Sequence, residues 1–399
     1  MSQVVSRTLS DRFADRTNVF GSSIWTDILT HKEKHTDPVY FGDGAPAPEM
    51  LPIRRLAQSN AHVWEDATGA LAYGDQQGWL PLREWIATNL QNRSIDATAA
   101  NIMTTAGSTQ ALDFAARVFL QPGDAVIAEN PTFLGAIDIF HTYEAEVIGV
   151  ECDADGMLMD KLEETILNTP NAKVIYTIPT FQNPAGTNMP LERRQRLVEL
   201  AREHNLAIFE DDPYGDLQYS GEVIPPLRAL DDQVIYFGTF SKVIAPGLRV
   251  GYVVAPTEVA VKLLATREVA DVNNDRITMR TVYHTIQDDF LTGHIEECRD
   301  FYRSRRDAML AALEREMPEG VSWSRPDGGF FVWITLPDHI TSEQIFDVAA
   351  EYGVVAFPGK WFDPQKQHAH SIRLSFSTVP EDRIALGIER LGAAIRSVM

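Results

Sequence analysis

The residue with the most chemistry in its setting is Lys242, which closes the apolar run VIYFGTFS (234–241) and opens the Pro/Gly-containing turn VIAPGLRVG (243–251). A lysine at a strand end is ordinarily a solvated surface group. One that faces a crevice beside a second cation has its pKa depressed and can condense with carbonyls. Thr239, Ser241 and Arg249 flank it and combine two hydroxyls with a guanidinium, a set suited to a phosphate group. Gly107-Ser108-Thr109-Gln110 precedes a helical pattern and offers free amides and the positive end of a macrodipole. Alone that tetrapeptide reads as a plain N-cap, and it lacks the glycine spacing of a Walker loop or a dinucleotide fingerprint. Combined with the hydroxyls and Arg249 it reads as half of an anion site. Asp211 and Tyr214 in EDDPYGDL, Asn183 in FQNPAG and Phe133 in ENPTF complete the set of unusual residues.

Each of these groups follows a short β-branched run. DAVIAEN (124–130), AEVIGVEC (145–152), KVIYTIP (173–179), LAIFEDD (206–212), VIYFGTF (234–240) and VGYVVAP (250–256) alternate with helical periodicity, the pattern of an α/β core built on a mostly parallel sheet with both faces covered. Ligands of such sheets bind beyond the carboxyl ends of the strands, so one crevice could collect all the residues named above. LERRQRLVELAREHN (191–205) puts Leu197, Val198 and Ala201 on one face, and a second helix is expected from near Ser108 until Pro122-Gly123 stops it. From about residue 286 the texture becomes α+β: a long charged helix, the strand run GGFFVWITLP (328–337), a further helix and IRLSFS (372–377). The expected division is an N-terminal arm with a short helix (1–40), a large domain (41–285) and a smaller C-terminal domain (286–399).

Composition narrows the partners. Asp plus Glu number 56 against 35 Lys plus Arg, a formal charge of −21, which works against nucleic acid as a partner. No run approaches the roughly 18 apolar residues of a membrane span. Two cysteines, Cys152 and Cys298, cannot staple a chain of 399 residues, and the first residues lack a signal core, so a cytoplasmic protein is expected. His31 and His35 in HKEKH share a helical face without a third ligand and read as exposed. Arg303, Arg305 and Arg306 read as the solvated face of the long helix.

Seven segments, in order, carry a resemblance: YGDQQGWLPLREWI (73–86), AGSTQALD (106–113), ENPTF (129–133), FQNPAGTNMP (181–190), EDDPYGDL (210–217), TFSKVIAPGLRVGY (239–252) and IRLSFS (372–377). The chain resembles the fold type I aminotransferases that use pyridoxal phosphate. SSIWTDIL (22–29) followed by VYFGDGAPAPEMLP (39–52) is similar to the branch holding 2-aminoadipate and kynurenine aminotransferases and the aminotransferase-like half of MocR regulators. The resemblance implies a pyridoxal 5'-phosphate enzyme in which Lys242 forms the Schiff base and shuttles the proton, in a ping-pong exchange between an amino acid and a 2-oxo acid. It implies that Asp211 pairs with the pyridine nitrogen, that Tyr214 and Asn183 bond the ring hydroxyl oxygen and that Phe133 stacks on the ring. Ser108, Thr109, Thr239, Ser241 and Arg249 would hold the phosphate. Tyr73 would reach the phosphate of a neighbouring subunit in a homodimer with composite sites. Arg373 would clamp the substrate carboxylate, with Gly44 also at the substrate site.

Three departures stand out against that branch. Phe133 replaces a usual tyrosine, keeping the stacking and losing the hydroxyl; Thr109 and Thr239 stand for glutamine and serine. Trp25 occupies the place where 2-aminoadipate enzymes carry an arginine for a distal carboxylate, which points to an apolar or aromatic donor. Asp43, where relatives often have glycine, is a further pocket candidate. The same machinery could also serve a lyase, cyclase or oxidase. An effector-sensing module like that of the MocR regulators is disfavoured, since the stretch before VYFGDGAP is short for a helix-turn-helix and shows no basic recognition helix.

Overall fold

A computed structural model describes residues 9–19, 24–365 and 368–399. All six apolar runs form strands: Ala125–Asn130, Glu146–Asp153, Ala172–Thr177, Ala207–Asp212, Ile235–Thr239 and Gly251–Val254. With Ile102–Thr105 and the two-residue Gly156–Met157 they make one eight-stranded sheet, ordered 102–105, 251–254, 235–239, 207–212, 172–177, 125–130, 146–153, 156–157. The run of strands from 235–239 to 146–153 is parallel throughout. Gly251–Val254 is antiparallel to both neighbours, and Gly156–Met157 pairs antiparallel with Glu146–Asp153 at the opposite edge. The chain returns to Gly251–Val254 through the short segment 240–250 with no crossover helix, and so short a return can only be antiparallel. The sheet is therefore mostly parallel in its middle and mixed at both edges.

Every residue of Ala125–Asn130 is buried, because helices cover both faces. Leu112 and Phe114 of Ser108–Phe119 pack on one side with Phe140, and Leu197, Val198 and Ala201 of Leu191–Glu203 pack on the other with Leu162. Ser322–Trp323, Phe331–Thr335, Ser371–Ser375 and Phe357–Pro358 form a second, antiparallel sheet, and the helices Phe290–Glu316 and Glu381–Arg396 pack on each other beside it. The N-terminal segment joins this part: Val39–Tyr40 pairs parallel with Val354–Val355, and helix Ile24–Lys32 leans on Ser342–Glu351.

Two expectations about charged residues fail for the same reason, a partner distant in sequence. His31 is not exposed; its ring stacks on Phe346 at 3.8 Å and its Nε2 pairs with Asp347 at 2.8 Å. Arg305 and Arg306 are buried rather than solvated, Arg305 donating to the Ser377 carbonyl and to Glu49, Arg306 to Ser220 and the Pro326 carbonyl.

The strand end that carries Asp211 and leads to Tyr214 is fixed by an ion pair. Asp212, with no exposed side-chain surface, meets Arg93 at 2.5 Å, accepts from the Tyr236 hydroxyl at 2.9 Å and caps the Gly215 N–H at 2.9 Å. Removing one partner of a buried pair leaves the other charge uncompensated, so Arg93→Met should lower unfolding stability by about 3–5 kcal/mol. Denaturant titration measures this, and a loss below about 1 kcal/mol would show the pair to be dispensable.

Candidate active site

A cavity of about 420 Å³ opens where the carboxyl ends of the large-sheet strands face the second sheet. Of the residues singled out from sequence, Trp25, Gly44, Ser108, Thr109, Phe133, Asn183, Asp211, Tyr214, Thr239, Ser241, Lys242, Arg249 and Arg373 all line it, and so does Asp43. Tyr73 does not; it is 87% exposed beside a separate surface hollow with Leu71 and Arg276.

Asp211 is held at the end of Ala207–Asp212, where its Oδ2 accepts from the Tyr176 hydroxyl on the adjacent parallel strand at 3.0 Å. Its Oδ1 is buried with no partner. Burial pushes the carboxyl up to about 7, while the Tyr176 hydroxyl pulls the other way. An unsatisfied buried oxygen of this kind calls for a hydrogen-bond donor in the cavity.

Lys242 Nζ donates to the Gly44 carbonyl at 2.7 Å. Desolvation lowers its pKa to about 8, assisted by the positive charge of Arg373 and opposed by Asp211. Gly44 has little room to change: a Cβ there would stand 3.0 Å from the Phe331 ring.

At another wall, helix Ser108–Phe119 begins after Gly107, whose φ of 81° and lack of a side-chain cap leave the first amides free. A Cβ on Gly251 would lie 2.5 Å from the Ser108 nitrogen, so the antiparallel strand approaches the helix start as closely as it does only with glycine there. Arg249 reaches the same place and bonds only carbonyls, those of Pro246 and Ala106 at 3.2 Å each. Thr239 donates to Ser241 Oγ at 2.9 Å, holding both hydroxyls side by side. Free amides, hydroxyls and a guanidinium without a carboxylate make an anion cradle.

Arg373 is 4% exposed and has no carboxylate partner among the described residues. It donates to Asn183 Oδ1 at 3.0 Å and to the Gly42 carbonyl at 2.6 Å, and its Nε has no partner. The rings of Phe331, Phe357 and Phe362 surround it at 4.2, 4.6 and 4.7 Å. Burial lowers its pKa to about 10. The sequence reading missed this collar and the Tyr176 contact; the paired phenylalanines of GGFFVW were the only local signal for the first, and Tyr176 in KVIYTIP for the second.

A lysine with a lowered pKa, an anion cradle and a buried carboxylate with a free oxygen fit pyridoxal phosphate, and the fold and site together define a fold type I enzyme of that cofactor. The family model for aminotransferase class I and II matches residues 39–391, and the chain belongs to that family. It is 41% identical to aromatic-amino-acid aminotransferase 1 of Thermococcus litoralis, over 91% of this chain and 89% of that one. It is 36% identical to the 2-aminoadipate transaminase of Thermus thermophilus, over 90% of each. The solved kynurenine aminotransferase of Pyrococcus horikoshii, in complex with PMP, superposes with a TM-score of 0.93 at 39% identity, covering 98% of both chains. The protein is thus a pyridoxal-phosphate-dependent aminotransferase with amino acid and 2-oxo acid substrates.

Only a neutral amine attacks a carbonyl, and the lowered pKa of Lys242 makes its neutral form available near physiological pH. When cofactor is added to the stripped protein, the rate at which the absorbance band appears should rise with pH and level off above about 8. A rate still climbing toward the ordinary lysine pKa of about 10.4 would contradict the site's influence on Lys242.

Proposed function

We propose that the enzyme moves an amino group from an apolar or aromatic amino acid to a 2-oxo acid by a ping-pong exchange, working as a homodimer. The observation that carries this reading is Arg373, a buried guanidinium of the cavity with no carboxylate partner among the described residues. Of the three cationic residues lining the cavity, Lys242 and Arg249 serve the cofactor, and Arg373 takes the α-carboxylate common to donor and acceptor. Among the described residues no cation of the cavity is left for a distal carboxylate, while Trp25, Leu134, Phe331 and Phe357 supply an apolar wall.

Pyridoxal phosphate, when bound, supplies an electron sink for the charge that develops at the donor's Cα. Asp211, with its free Oδ1, would meet the ring nitrogen and keep a proton there, Tyr214 and Asn183 would bond the ring oxygen, and Phe133 would stack on the ring. Ser108, Thr109, Thr239, Ser241 and Arg249 hold the phosphate. Lys242 would hold the cofactor and, facing the donor's Cα, would move the proton there. The donor leaves as a 2-oxo acid before the acceptor enters, so Arg373 serves each in turn.

Exposed Leu71, Tyr73, Val269 and Val272 support a second copy covering that face, with Tyr73 reaching the partner's phosphate. Two unpaired cysteines support residence in the cytoplasm. No described helix is long and apolar enough to cross a membrane.

Purified protein should carry an absorption band that borohydride removes and that Lys242→Ala lacks; its absence from wild type after incubation with cofactor would defeat the role of Lys242. Across a panel of donors, kcat/KM for phenylalanine and leucine should exceed that for glutamate and 2-aminoadipate by about tenfold or more, the scale expected when a buried charge finds no partner. The reverse order would overturn the donor assignment.

A further inference from the structure

Of the tetrapeptide Gly107-Ser108-Thr109-Gln110, the roles above leave Gln110 unused. It does not line the cavity. Its side chain folds back over the entry to helix Ser108–Phe119, where Oε1 accepts from the Ala106 N–H at 2.8 Å. The same oxygen accepts from Arg267 Nη2 at 3.0 Å, and Gln110 Nε2 donates to Asp271 at 2.7 Å. Arg267 is fully buried on the neighbouring helix Thr257–Ala270 and sends its Nη1 to Asn274 Oδ1 at 2.5 Å. Asn274 Oδ1 also accepts from the Thr104 hydroxyl at 3.0 Å, and Thr104 lies on the strand that runs into Ala106. A ring of side chains thus clasps the turn 105–107 at both ends.

The clasped turn carries one wall of the anion cradle. The Ala106 carbonyl accepts from Arg249 Nη2 at 3.2 Å, and that guanidinium lies over Gly107, where a Cβ would collide with it. Ala106 is therefore fixed through its N–H by Gln110 and holds Arg249 through its carbonyl. A glutamine at the third helical position ordinarily reaches back to the N-cap amide. Gln110 reaches one residue further and leaves the amides that open the helix free. Arg267 stiffens the ring, because its Nε has no hydrogen-bond partner and Asp271 stands 3.8 Å away, so a shift of Gln110 or Asn274 would leave a buried charge less satisfied. Building on the assignment of the cradle to the cofactor phosphate, we propose that Gln110 and Arg267 are positioning residues: together they hold Ala106, and through it Arg249 and the helix start, in the pose that receives the phosphate.

Two aldehydes that differ only in the phosphate test this. Wild type, Gln110→Met and Arg267→Lys are stripped of cofactor, and dissociation constants for pyridoxal 5'-phosphate and for pyridoxal are read from the absorbance band on titration. Gln110→Met leaves the Ala106 N–H and one Arg267 donor unpaired, and Arg267→Lys keeps the charge but loses the fork that spans both acceptors. Each variant should bind pyridoxal 5'-phosphate about tenfold more weakly, the scale of one lost buried hydrogen bond, and pyridoxal as wild type does. Melting temperatures of the stripped proteins report the fold, since a substitution that only loosened the helix would weaken both aldehydes by the same factor. That equal loss, or an unchanged affinity for pyridoxal 5'-phosphate, overturns the role of the residue altered. Equal affinities of wild type for the two aldehydes would instead remove the phosphate reading of the cradle, and the proposal with it.

Discussion

A guanidinium taken out of water with no carboxylate bonded to it among the described residues is the constraint on which the rest of this site is arranged. Arg373 comes from the second sheet, its Nη1 is held by Asn183 from a loop beyond a strand end of the large sheet, and its Nη2 by Gly42 from the N-terminal segment. Three separate parts of the chain must therefore converge before it is satisfied at all. The three surrounding phenyl faces offer weak compensation, since cation–π attraction is worth about 2 kcal/mol when desolvated. The remaining demand is for an anion, and the cavity delivers one only when a substrate brings it.

The same low-dielectric enclosure acts on Asp211 and Lys242 with opposite results. Burial raises the carboxyl to about 7 and lowers the amine to about 8, so each lies close to the pH at which it must exchange or hold a proton. Burial is the larger cause of both, with the Tyr176 hydroxyl pulling Asp211 back down and Arg373 pushing Lys242 further down. The linkage to stability in the cofactor-free chain follows with opposite signs. The raised Asp211 disfavours the folded state progressively as pH climbs from its unfolded value toward about 7. The lowered Lys242 disfavours it as pH falls from its unfolded value toward about 8. Bound groups that pair with both would lift both penalties together.

Much of this was legible because chemistry and local pattern coincide. Lys242, Asp211, Asn183 and Phe133 each stand at or within a few residues of the end of an apolar run, and the open-sheet rule then places them at one edge without any tertiary information. The phosphate end was legible for a related reason, since Ser108 and Thr109 open a helix. What could not be read depends on partners remote in sequence. The aromatic collar of Arg373 is assembled from Phe331, Phe357 and Phe362 on different elements. Arg305 and Arg306 look solvated until Ser377, Glu49 and Ser220 arrive. The reversal of Gly251–Val254 is a matter of connection length rather than residue type, and its apolar run is no different from those of the parallel strands. Tyr73 has its side chain in solvent, so nothing within a single chain reveals what it meets.

The helix Ile24–Lys32 has a mechanical consequence. It carries Trp25 to the cavity while His31 fastens it to Asp347, and Trp25 lies 6.0 Å from Phe357, the ring that also packs on Arg373. Trp25 and Arg373 therefore ride on the same body. Any approach of that body to the large sheet moves both together, leaving the span between them unchanged. With Arg373 assigned to the α-carboxylate as proposed, the pair is a ruler of fixed length: a side chain is measured from its own α-carboxylate against Trp25.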